Sequence, residues 1–516
     1  MSRARALMVL GTASNAGKSL TVAALCRIFA DDGYDVAPFK AQNMSLNAAV
    51  TPDGREIGRA QAVQAECARR AAEVEMNPVL LKPSGERRSQ VVLEGRVWDD
   101  VDAWDYHRRR TSDLWPRVVA AYERLASRCE LIVLEGAGSP AEINLRDGDI
   151  VNMRMARAAG APCVLIADID RGGALAALTG TLELLTPDER ARVRAFAITK
   201  FRGDVELLEP GLRMLEARLG IPCAGVIPWI DALGIDEEDG YLIPPALRRW
   251  PDDDGPHRRL RVAVVEFPHV ANATDLDALA AEPGVALRRI TAAHELDGAD
   301  VVVLPGSKET VADLRWLRAR GLDAAVVAHA AMRPVIGICG GMQMLGARID
   351  DPHDAESGGS ADGLGLLRLT TTLATEKTTV RVRAELLDAA FAGRPVAARA
   401  FDGYEIHLGA TVYGADAPFA RVRTLRDAES ERLDGAVSAD GLVTGTYVHG
   451  LFDDDAFRHA ALDALRARCG LAPARLHAAW RAEREARYDR LARIVRASLD
   501  VPLLARLAGL APRVPA

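Results

Sequence analysis

Residues 5–19 read RALMVLGTASNAGKS, an apolar run that ends on Gly11 and passes through small residues into Gly17-Lys18-Ser19. A phosphate-binding loop has this order. A strand leads into a glycine-bearing turn, then a helix whose first amides and a lysine receive anionic oxygens. The usual spacing places four residues between the first glycine and the Gly-Lys-Ser/Thr, whereas five follow Gly11 here. The flanks decide for a nucleotide site: LTVAALCRIFA at 20–30 continues at helical spacing, with Leu20, Ala23, Ala24 and Ile28 on one side. LIVLE at 131–135, CVLIAD at 163–168 and AFAIT at 195–199 repeat the strand pattern, and 150–160 and 205–219 suit crossover helices. This alternation predicts a mostly parallel sheet covered by helices.

The remaining composition narrows the class. A chain of 516 residues has room for two or three domains, and 49% apolar residues supply their cores. A net charge of −7 argues against a general nucleic-acid footprint. No apolar run reaches the length of a membrane span, and the N-terminus enters a strand without a signal series. Seven scattered cysteines make neither a disulfide framework nor a zinc ribbon, so a cytoplasmic enzyme or ATPase is expected.

RRWPDDDGPHRR at 248–259 reads as a linker. After it the strand pattern restarts with RVAVVEF at 261–267, VVVLPG at 301–306 and VIGIC at 335–339, which predicts a second α/β domain. Antiparallel strands are expected within 362–450, and the tail from about 456 repeats Ala, Leu and Arg at helical spacing as a cap or interface.

Acids at strand ends are candidate partners for the phosphates. Glu135 closes LIVLE and precedes Gly-Ala-Gly, where it can hold Mg²⁺. Asp168 and Asp170 in ADIDRGGA serve either charged ligands or an internal ion pair with Arg171. Lys40, Gln42, Asn43, Ser45 and Asn47 in PFKAQNMSLN either read a polar substrate or cap local backbone.

In PVIGICGGMQM, Cys339 follows an apolar strand and is flanked by Gly337, Gly340 and Gly341. Small neighbours permit the sharp strand-to-helix turn that exposes a nucleophile, and the first amides of the next helix favour a thiolate. His449 in LVTGTYVHGLF is the expected base, and His407 in GYEIHLG the competitor, suited to substrate or supporting contacts. The amides of Gly306, in LPGSKE, and Gly340 are candidates to hold an oxyanion. Glutamine-hydrolysing Cys-His sites often carry His-x-Glu; here that position is Leu451, which predicts a dyad whose imidazole is held by backbone or a distant partner.

GTASNAGKS, PFKAQNMSLNA, EGAGSPAEINL (135–145), DIDRGG (168–173), LPGSKET (304–310), GICGGMQML (337–345), GYEIHLG and YVHGLF together resemble the cobyric acid synthases. These are the glutamine-dependent amidotransferases of cobalamin biosynthesis, and the likeness runs nearly end to end in their domain order. In that group the five-residue gap is the ordinary loop. The resemblance implies an α/β fold: a P-loop-type, mostly parallel sheet domain similar to dethiobiotin synthetase, followed by a class I-like glutamine amidotransferase domain. It implies an ATP-dependent synthetase domain over 1–250, a linker over 251–259, the amidotransferase over 260–455 and a helical C-terminal extension over 456–516.

By the same resemblance, Gly11, Thr12, Asn15, Gly17, Lys18, Ser19 and Lys200 bind ATP, and Ser19 and Glu135 take Mg²⁺. Cys339 and His449 hydrolyse glutamine, and ammonia passes between domains. The implied substrate is adenosylcobyrinic acid a,c-diamide, amidated at its b, d, e and g carboxylates. Lys40, Gln42, Asn43, Asn47, Asp147, Asp149, Asp170 and His407 are corrinoid or glutamine contacts. Thr199 stands where relatives place Asn, a change expected to alter base recognition if that position reads the base. The alternatives are cobyrinic acid a,c-diamide synthase, which lacks the KAQNMSLN signature, and a P-loop switch ATPase with an inert second domain.

Overall fold

The computed structural model describes residues 3–84, 88–231, 233–235, 249–356, 358–426, 430–511 and 513. Arg248, the first residue of the expected linker stretch, lies outside them. The N-terminal half is built on a six-stranded sheet in which every neighbour is parallel. Its order is Cys223–Pro228, Val193–Phe201, Cys163–Asp168, Arg5–Gly11, Leu131–Glu135, Val36–Phe39. Parallel strands flanked by helices on both faces must be apolar on both sides; Leu7, Met8, Val9 and Leu10 are accordingly all buried. Strands leave Arg5–Gly11 on either side by different crossovers, so its carboxyl end opens onto a crevice. The phosphate loop and the helix Lys18–Asp31 begin there.

Between the second and third strands of that sheet the chain builds an insertion that periodicity alone does not announce. Gln42–Met44, Val79–Ser84, Arg88–Leu93 and Arg96–Asp102 form a four-stranded sheet, and Ala48–Val50 pairs with Glu56–Gly58. Gln42–Met44 is three residues of mixed polarity, too short and too polar to read as a strand without its partner.

The second half repeats the parallel plan with Val285–Ile290, Leu260–Val265, Val301–Leu304, Val335–Ile338 and Val443–Thr446, plus the antiparallel edge Ala436–Val437. A second, largely antiparallel sheet rests on the long strands Leu369–Leu386 and Ala400–Tyr413, within the segment where antiparallel strands were expected.

The tail divides between the halves. Helix Asp455–Arg468 packs Phe457, Ala461 and Leu465 into the second core. Helix Trp480–Ser498 returns to the first domain, where Tyr488, Leu491 and Val495 join the core beneath the Lys18–Asp31 helix. Arg27 of that helix is buried and bonds Glu485 and Asp489 of the returning one. The C-terminal segment thus straps the second half to the phosphate-loop helix.

Candidate active sites

The first site forms around Glu135. Ser19 Oγ donates to Glu135 Oε1 at 2.8 Å, Lys40 Nζ lies 3.0 Å from the same oxygen, and Gln64 Nε2 donates to Oε2 at 2.6 Å. Burial pushes the Glu135 carboxyl up, but Lys40 and these hydrogen bonds outweigh it and hold it below the usual carboxylate range. Lys18 Nζ reaches Ala13 O at 2.8 Å and Gly138 O at 3.0 Å, tying the phosphate loop to the turn after Glu135. A side chain at Gly11 would put its Cβ 2.9 Å from that ammonium, so glycine keeps the lysine in place. Asn15 and Gly17 both take positive φ where the loop curls.

Lys200 also has positive φ, and its Nζ pairs with Asp168 at 3.0 Å. Thr199 is buried and its hydroxyl lies within hydrogen-bond reach of Ala16 O, at 2.7 Å, and Ala167 O. It supports the phosphate loop from below. Asp170 faces Arg202 at 3.1 Å. Asp149 caps the backbone of Val151, Asn152 and Arg154, and Asp147 is exposed. Gln42, Arg110, Gly138, Asp149 and Asn152 line a cleft next to the lysine-bearing loop. Gln64 carried no sequence signal, since it sits mid-helix in an alanine-rich stretch.

The second site centres on Cys339, which holds φ 53° and ψ −111° between strand Val335–Ile338 and helix Gly340–Leu345. A positive φ at a non-glycine residue is strained and is tolerated where the surroundings over-determine it. At Gly341 a Cβ would stand 1.9 Å from Leu304 O, so only glycine allows the turn to close. His449 is fully buried. Its Nδ1 meets Asp275 Oδ2 at 2.6 Å, and Gly450 N donates to Asp275 Oδ1 at 2.9 Å. Its Nε2 is left towards Asn272 Nδ2, at 3.4 Å, and the Cys339 sulfur. Burial pushes the imidazole down, but Asp275, aided by Cys339, lifts it to about 10.

The distant partner of His449 is therefore Asp275, which sits on the short turn Ala273–Leu276. Leu451, at the position where an acid was looked for, is buried in the core. Gly306 has no room for a side chain: its Cβ would lie 2.8 Å from Ala271 O and 3.2 Å from His449 Cε1. Gly340 abuts Ser307. His407 lines the same cavity, stacked on Tyr447 at 3.8 Å, with Nδ1 on Gly409 O and Nε2 near Glu405.

The two halves meet beside this histidine. Ala48 N donates to Asn272 Oδ1 at 3.0 Å, and Ala273 N donates to Asn47 Oδ1 at 3.2 Å. Asn47, expected at a substrate, gives its Oδ1 to this domain contact. Tyr404 stacks on His449 at 5.2 Å, and its hydroxyl accepts from Arg59 of the first half at 2.7 Å. The insertion sends Lys82 and Gln90 to the Cys339 cavity. Buried Glu56 bonds both Lys82 and, across the boundary, Lys377. Burial raises the Glu56 carboxyl, but Lys377 and Lys82 outweigh it and hold it at about 2.

Glu56→Gln leaves two buried ammonium groups without their shared carboxylate, at a cost of about 3–5 kcal/mol. The expected result is a lower denaturation midpoint, and an unchanged midpoint would show that this cluster does not hold the two halves together.

A phosphate loop on a parallel sheet, joined to a cysteine–histidine–aspartate site on a second parallel sheet, defines a nucleotide-dependent glutamine amidotransferase. Residues 7–243 match the CobQ/CobB/MinD/ParA nucleotide binding domain, and residues 261–457 match the CobB/CobQ-like glutamine amidotransferase domain. The chain is 51% identical over 518 residues to a cobyric acid synthase of Sorangium cellulosum (strain So ce56), covering 98% of each. It is 49% identical to the cobyric acid synthase of Photorhabdus laumondii, covering 96% of each, and 49% identical to that of Salmonella heidelberg, covering 96% of this chain and 97% of the relative. This chain belongs to the cobyric acid synthase family. Among the described residues no helix is long and apolar enough to cross a membrane.

Proposed function

We propose that this enzyme amidates the b, d, e and g carboxylates of adenosylcobyrinic acid a,c-diamide, using glutamine as nitrogen donor and ATP to activate each acid. The observation that carries the reading is the buried Asp275–His449–Cys339 arrangement touching the nucleotide half through Asn47 and Asn272. The Cys339 thiol proton passes to His449 Nε2, where Asp275 stabilises the charged imidazole, and the thiolate attacks the side-chain amide carbon. The Gly306 and Gly340 amides receive the oxyanion. The C–N bond breaks, the imidazolium returns its proton to the leaving nitrogen, and ammonia departs. Water then cleaves the thioester to glutamate.

In the first half the γ-phosphoryl of ATP passes to a corrinoid carboxylate. Ammonia attacks the acyl phosphate carbon and phosphate leaves, giving the amide and a proton. Lys18 and the loop amides hold the transferring group. Ser19 and Glu135 suit Mg²⁺, being hard oxygen donors 2.8 Å apart, and Lys40 already places a cation on the same carboxylate. Bound there, Mg²⁺ supplies charge neutralisation at the phosphates. The cleft holding Gln42, Arg110 and Arg146 offers donors to an anionic peripheral chain of the corrinoid.

The test is mass spectrometry of cobyrinic acid a,c-diamide incubated with the enzyme, Mg-ATP and amide-¹⁵N glutamine. Labelled OH-to-NH₂ exchange at the b, d, e and g positions is expected. ATP turnover by folded enzyme without labelled product would sink the reading.

A further inference from the structure

The cavity beside Cys339 contains a buried cation without a hydrogen-bond partner among the described residues. Lys308 follows the Gly306-Ser307 turn, is only 6% exposed, and lines the cavity together with Cys339 and His449. Its Nζ is buried with no hydrogen-bond partner among the described residues. A buried ammonium whose hydrogens are unanswered is destabilising, so a ligand that answers them gains there. The other cations of that wall are spoken for, since Lys82 and Lys377 are both held by Glu56.

Glu356 faces the same cavity. It accepts the Thr310 amide at 2.6 Å through one oxygen. Burial pushes its carboxyl up to about 7, with Lys308 opposing. A carboxyl so placed gains by meeting a cation, as Lys308 gains by meeting an anion. The ligand that brings one of each on adjacent atoms is a free α-amino acid.

We infer that Lys308 and Glu356 read the α-carboxylate and the α-ammonium of glutamine, and so aim its side-chain amide at Cys339. The inference rests on the glutaminase reading of that site and adds the basis of its selectivity. Glutamine inside a peptide leaves both charges unanswered, and an amide without an α-amino group leaves that of Glu356. Specificity of this kind comes from buried groups left unpaired by the wrong ligand.

The experiment measures glutamine hydrolysis by the full chain with glutamine and with glutaramic acid, which lacks the α-amino group. Amidation from ammonium chloride serves as the folding control. Lys308→Met should lower kcat/KM for glutamine by about 10²-fold, mostly through KM, the scale of losing a desolvated charge pair. Glu356→Gln should erase the parent's preference for glutamine over glutaramic acid, bringing the ratio of their kcat/KM values towards one. An unchanged KM in Lys308→Met, or an unchanged preference in Glu356→Gln, overturns the inference. A parent enzyme that fails to hydrolyse glutamine at all would instead overturn the glutaminase reading beneath it.

Discussion

Asp275→Asn should lower glutamine-dependent amidation by roughly 10³–10⁴-fold, while amidation from ammonium chloride stays at the parent's level. The reason is a hydrogen-bond constraint. Gly450 N already donates to one oxygen of Asp275, and His449 Nδ1 meets the other. An asparagine must keep its carbonyl oxygen on the Gly450 amide, so it turns its NH₂ to the imidazole. The ring then has to accept at Nδ1 and carry its proton on Nε2, facing the sulfur, where it can no longer act as base. The shape of the site is unchanged. The pH profile should move as well. Burial pushes the imidazole down and Asp275 lifts it to about 10; without the carboxylate the charged imidazole is lost at lower pH, so the alkaline limb shifts downwards. Steady-state rates with the two nitrogen donors decide the matter, and full glutamine-dependent activity in the variant would remove Asp275 from the mechanism.

Lys18→Met should produce the complementary defect, losing about 10²–10³ in amidation from either nitrogen source while still hydrolysing glutamine. Lys18 is buried and carries both a charge and a structural tie, bonding Ala13 O and Gly138 O across the phosphate crevice. Methionine fills the space but supplies neither the charge for the transferring phosphoryl group nor the tie to the loop after Glu135. None of these contacts touches the Cys339 cavity. Separate assays of glutamate release and amide formation check this. Parent-level amidation from ammonia would place phosphoryl transfer elsewhere. Loss of glutamine hydrolysis as well would show that the contact of Asn47 and Ala48 with Asn272 and Ala273 relays the state of the first site to the second.

The two variants probe different kinds of information in the chain. The strand Arg5–Gly11, the loop, and the helix from Lys18 are contiguous, so apolar periodicity and a glycine turn predict them together. The same holds for Cys339, whose strained backbone is announced by Gly337, Gly340 and Gly341 on its own short stretch. Thr199 illustrates a partial reading: a strand-end position near the nucleotide was legible, but its support of Ala16 from beneath depends on how two strands align.

Gln64 and Asp275 left no trace of that kind. Each is an ordinary polar residue in its own neighbourhood, on an alanine-rich helix and a short turn respectively. Their roles come from Glu135 and His449, which are far along the chain. The return of helix Trp480–Ser498 to the phosphate-loop helix is similar, since its amphipathic face predicts burial without naming the surface that buries it.

By itself, then, the sequence determined the two parallel-sheet units, the phosphate loop, the sharp cysteine turn and the family to which the chain belongs, because each is written in residues that are neighbours on the chain. Only the tertiary structure decided what orients His449, where Asn47 is spent, and which cation of the Cys339 cavity is left open. Those answers depend on closing long loops so that distant side chains meet, and hydrogen-bond partners and burial exist only after that closure.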